Sequence, residues 1–168
     1  MLFILRKLAD GLISLSAALG ALGLIFEVVI ILMDVVGRSL GTPIYGSQDM
    51  TTMGMVIVVF GAMALCDRQG GHISVDLFER SYSVLVNRLI DVFSALLGAV
   101  IFLGIAYAVN ESAKISTMLN LSTNLLRLPK GLFQNALSIF ALLTAVGMFL
   151  RALELIVSKR DVRKGDTV

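Results

Sequence analysis

The chain has 168 residues, 57% of them hydrophobic and 15% charged, with a formal net charge of +2. A soluble domain of this size carries about one-quarter charged residues, so that class is excluded, and no basic run interleaved with aromatics marks a nucleic-acid surface. Cys66 is the single cysteine, which excludes an intrachain disulfide and a thiolate metal cluster.

Four stretches are long and apolar enough to cross a bilayer, for which about 20 residues suffice. They run from about 11–33, 50–66, 92–110 and 131–150. The last three contain no Asp, Glu, Lys or Arg, and the first contains only Glu27. Arg6 and Lys7, followed by Ser14, Ser16, Ala17 and Ala18, superficially resemble a signal peptide. The apolar run continues past Gly20 to Met33, longer than a cleaved segment needs, so an uncleaved first span is expected.

Beyond Asp34–Arg38 comes a turn, Gly41-Thr42-Pro43-Ile44-Tyr45-Gly46. Ser47 is then placed to cap the second span, with Asp49 in its first turn. That span closes at Cys66-Asp67-Arg68, and Gly70-Gly71 breaks the helix. From about 73 to 91 two stripes interleave at helical spacing: Phe78, Tyr82, Leu85, Leu89 and Phe93 on one face, Asp76, Arg80, Ser83, Asn87 and Asp91 on another. This pattern predicts an amphipathic helix, lying in the membrane interface or packed on a partner, that runs into the third span. Asn110 to Leu128 is a polar connection, and Pro129 stands where a helix start tolerates proline. The segment 158–168 is a charged tail. The expected fold is therefore all-α: a single membrane domain of four transmembrane helices, with an amphipathic interfacial helix before the third.

Lys and Arg beside the spans predict the orientation. With the N-terminus inside, ten lie on the cytoplasmic side (Arg6, Lys7, Arg68, Arg80, Arg88, Arg151, Lys159, Arg160, Arg163, Lys164). Four lie opposite: Arg38, Lys114, Arg127 and Lys130. Both termini are expected in the cytoplasm.

Few residues could carry chemistry. Glu27 is the one ionisable side chain deep in a span; such a carboxylate marks a proton or cation site, or pairs with a neighbouring helix or subunit. Arg38 and Asp49 flank the first outer turn at the favourable poles of two helix dipoles. They could equally pair with each other or present charge to a docking protein. His72 is the only histidine, so a bis-histidine haem cannot be built within the chain. Its expected role is local, at the start of the amphipathic helix with Asp76. No G-x-S-x-G, P-loop or H-E-x-x-H is present, and nothing reads as an enzyme. Nor is there an internal repeat of the kind that builds complete carriers.

The segment Arg68-Gln69-Gly70-Gly71-His72-Ile73-Ser74-Val75-Asp76-Leu77 resembles the signature of the small membrane subunit of tripartite ATP-independent periplasmic (TRAP) transporters. Around it stand Gly37-Arg38, the turn with Pro43, an acidic residue opening the second span, and Phe60-Gly61-Ala62-Met63-Ala64-Leu65. Leu128-Pro129 before the last span extends the likeness. Where the family often has Glu-Glu or Trp near the start of the second span, this chain has Gln48-Asp49 and no tryptophan. The resemblance implies a non-catalytic subunit of a bacterial inner-membrane transporter, surrounded by lipid. It implies two partners: a large membrane subunit that holds the substrate and sodium sites, and a periplasmic binding protein that captures an organic acid. No cofactor is implied for this chain. The competing expectation is a small self-assembling proton-coupled exporter in which Glu27 carries the proton.

Overall fold

A computed structural model of the chain describes residues 2–69 and 84–157. It contains four helices: α1 (Leu2–Ser39), α2 (Ser47–Arg68), α3 (Val84–Met118) and α4 (Lys130–Val157). Each is long and apolar enough to cross a membrane. His72, Asp76, the predicted amphipathic segment as far as Ser83 and the tail 158–168 lie outside the described residues. The remainder of that segment, from Val84, forms the opening turns of α3.

The helices exceed the apolar runs that predict them. With 38 residues, α1 is about 57 Å long, and the 35 residues of α3 make about 52 Å. The hydrocarbon layer is only about 30 Å thick. Each therefore continues through its polar flanks, because a helix bonds its own backbone in lipid and in water alike. α1 stops only near Gly41, which adopts φ +80, and α3 just before Asn120, at φ +49.

α1 packs on α2, α2 on α4, and α4 on α3, while α1 touches α4 more lightly. The bundle is thus a row of two antiparallel pairs joined through α2 and α4. Its interior is made of small residues. Ala99, Ala106 and Ala113 of α3 are buried, as are Ala141, Ala145 and Ala152 of α4. The large leucines and phenylalanines mostly face outward, among them Leu22, Phe26, Leu89 and Phe93. Lipid tails are as apolar as leucine, so burying leucine brings no hydrophobic gain, and close backbone approach over small residues holds the helices instead. Phe102 fills the centre, with Phe60 and Met63 reaching it from α2.

Small side chains also link helices by hydrogen bonds. Ser138 donates from α4 to the Ala106 carbonyl of α3 at 2.8 Å. Ser16 and Thr144 donate to carbonyls of their own helices.

Candidate functional site

Polar contacts gather at the two ends of the bundle, with one carboxylate between them. At one end lie the start of α1, the end of α2, the start of α3 and the end of α4. Arg6 of α1 forms ion pairs with Glu154 of α4 and with Asp10 on its own helix. Arg151 of α4 donates to both the carbonyl and the carboxylate of Asp67 on α2, at 3.0 and 3.2 Å. Arg88 of α3 donates to the Leu155 and Ile156 carbonyls, at 2.8 and 3.2 Å, and so closes the C-terminal turn of α4. Arg88→Met leaves those carbonyls without this donor. It is expected to cost about 1–2 kcal/mol, seen as faster hydrogen exchange in the last turn of α4 with the rest of the helix unchanged.

At the opposite end the two connections are tied together. Asp34 accepts from Arg38 Nε at 2.8 Å, from the Ile44 backbone N–H at 3.0 Å, and from the Ser47 hydroxyl. Arg38 is therefore engaged one turn away on its own helix, apart from Asp49. Ser47, expected as the cap of α2, is its first helical residue instead. The capping position belongs to Gly46 at φ +77, a conformation that favours glycine, and no side chain caps there. Leu126 of the other connection fills the space that a Cβ on Gly46 would need.

Asp49 reaches across to that second connection. Its Oδ2 accepts the backbone N–H groups of Leu125 and Leu126, both at 2.8 Å, and Thr123 also bonds the carboxylate. Tyr45 donates from its hydroxyl to the Leu125 carbonyl at 3.2 Å. The connection is folded on itself: Thr123 N–H donates to the Leu128 carbonyl, and Lys130 N–H to that of Leu121, both at 3.0 Å. Pro129 immediately precedes α4.

Glu27 lies between these ends. It falls on the buried stripe of α1 with Ser16, Gly20, Ile30 and Asp34, of which Ser16, Gly20 and Asp34 meet α2, while Ile13 on the same helix reaches Gly147 of α4. It is 9% exposed, and its Oε2 has no hydrogen-bond partner among the described residues. Gln134 Oε1 in α4 is likewise buried without a partner. The seam around Gly20 and Gly61, on two different helices, shows in no motif of either span. No cluster of three His, Cys, Asp or Glu able to hold a metal ion occurs among the described residues.

Four long apolar helices, with buried polar groups that mainly tie helix to helix and loop to loop, describe a membrane-embedded bundle. No curated protein and no solved structure matches the chain. The family model described as "Tripartite ATP-independent periplasmic transporters, DctQ component" matches residues 27–158, from Glu27 to just past the end of α4. The chain therefore belongs to the DctQ family, as a small membrane subunit of a tripartite ATP-independent periplasmic transporter.

Proposed function

We propose that this subunit is non-catalytic: it scaffolds a large, sodium-coupled membrane subunit and helps dock the periplasmic binding protein during uptake of an organic acid. The observation that supports this reading is where the polar groups go. Arg6, Arg88 and Arg151 are engaged at one end of the bundle, and Asp34 and Asp49 at the other. A subunit that carries substrate and sodium needs clustered polar ligands or interrupted helices at depth. Each of the four described helices is continuous. The end where Arg6, Arg88 and Arg151 gather is the cytoplasmic one, following the excess of basic residues there. The membrane is the bacterial inner membrane.

The test is mild-detergent purification of the tagged chain from native membranes, followed by reconstitution of what comes with it. A large many-span protein is expected in stoichiometric amount, with sodium-dependent uptake requiring both subunits and the binding protein. A homodimer that transports alone in liposomes would replace this reading with a proton-coupled exporter built on Glu27.

A further inference from the structure

The described residues enter the left-handed backbone region at four places, and all four lie in the connections at the Asp34–Asp49 end. Gly41 and Gly46 adopt it freely, and Asn120 tolerates it. Arg127 is the exception. At φ +53 it holds a long side chain on a backbone that glycine or asparagine would occupy with less strain. Such an outlier persists only where its surroundings fix it, and it points to a use for the side chain.

The surroundings do fix it. Thr123 donates its N–H to the Leu128 carbonyl and accepts the Leu128 N–H on Oγ1, both at 3.0 Å, which pinches the loop shut around residues 124–127. Asp49 holds the N–H groups of Leu125 and Leu126. Leu126 is seated on Gly46, whereas Leu125 and Arg127 on either side of it are exposed. Tyr45, 70% exposed, joins them through its bond to the Leu125 carbonyl.

The other cations at this end are engaged: Arg38 pairs with Asp34, Lys114 with Glu111, and the charge of Lys130 acts on Asp49. The Arg127 guanidinium has no ion pair or hydrogen bond among the described residues. Lipid phosphates do not call for this arrangement, because they are mobile and a cation on a flexible stem reaches them equally well. A rigid mount favours a partner whose acidic group is itself fixed, since neither side then loses freedom on binding. Tyr and Arg are also the residue types that dominate the energetic centre of protein interfaces.

We propose that Arg127, beside Tyr45 and Leu125, anchors an acidic side chain on the surface of the periplasmic binding protein. The inference rests on the docking role above and names the residue that carries it. Both membrane subunits are placed in bilayer discs of phosphatidylcholine, and binding of the fluorescently labelled binding protein is titrated. Arg127→Gly removes the cation and suits the backbone. It is expected to weaken binding about tenfold, with the melting midpoint unchanged or higher, and Arg127→Asn is expected to match it. Added salt should weaken the unaltered complex and affect the glycine variant little. Lys114→Gln, at a cation already paired on its own helix, should bind as the unaltered chain does. Arg127→Glu is expected to abolish binding, and Lys in place of one acidic residue on the binding protein to restore it. Undiminished binding by Arg127→Gly and Arg127→Asn overturns the anchor, as does failure of every charge swap. Loss of copurifying anionic phospholipid from Arg127→Gly, with binding of the labelled protein intact, assigns the residue to lipid instead. In each of these cases the unaltered complex still binds. If it binds none of the labelled protein, the docking role fails and the anchor with it.

Discussion

Replacing Gly61 by leucine is expected to part α1 from α2. The reason is local and steric. A Cβ at Gly61 would stand 2.9 Å from the Ser16 carbonyl oxygen and 3.2 Å from both Cα and N of Gly20. These are backbone atoms within a continuous helix, and they cannot turn aside as a flexible side chain would. Gly20 has the same problem from the other side, its Cβ meeting Ala62 N at 3.1 Å and the Val58 carbonyl oxygen at 3.3 Å. Helices in lipid adhere through close packing and lose it when their backbones separate. The expected loss is about 3 kcal/mol, at the upper end for overpacked sites, read as a lower melting midpoint in detergent. Gly104 of α3, where a Cβ meets nothing within 4 Å, is the matched control and should tolerate alanine. An unchanged midpoint for Gly61→Leu would show that the crossing is looser than these distances require.

What could be read from the sequence, and what could not, follows from the range of each interaction. The four spans were legible because each is a continuous apolar run, a signal that needs no knowledge of neighbours. The ends of the helices were not. Charge marks where a helix leaves the lipid, whereas the helix itself continues until a residue such as Gly41 or Asn120 turns the backbone. Ser47 looked like a cap because its type suits one. The chain instead needs a positive φ at that corner and uses Gly46, which frees the Ser47 hydroxyl to bond Asp34. Arg38 and Asp49 could be placed at helix ends but not assigned partners: that of Arg38 lies one turn back, those of Asp49 more than seventy residues ahead. The Gly20–Gly61 crossing was invisible for a similar reason, since its halves belong to different helices. The family itself was legible in short runs around Gly37-Arg38 and Gly70-Gly71-His72, within the residues that the family model matches.

Asp49→Ala is expected to release the connection between α3 and α4. One carboxylate oxygen accepts two consecutive N–H groups, Leu125 and Leu126, and charge makes such bonds stronger than neutral ones. Alanine leaves both donors without that acceptor; Leu125 is exposed and can turn to water, whereas the part-buried Leu126 N–H is reached more readily once the loop lifts. Leu126 is also the side chain seated on Gly46, so lifting the loop unpacks the start of α2. Hydrogen exchange at Leu125 and Leu126 should rise about tenfold, and protease should cut first between Leu119 and Leu128. Asp49→Asn keeps one acceptor oxygen without the charge and should fall between the two. The α1–α2 connection should follow through Tyr45, whose hydroxyl holds the Leu125 carbonyl. If exchange in residues 119–129 stayed as slow as before, that connection would be held by its own Thr123–Leu128 and Leu121–Lys130 bonds, and Asp49 would be incidental to it. The distinction matters beyond stability. α1–α2 and α3–α4 are two antiparallel pairs, and at this end Asp49 and Tyr45 bind the connection of one pair to that of the other. A partner docking here would meet a single rigid surface while those bonds hold, and two independently moving loops once they are lost.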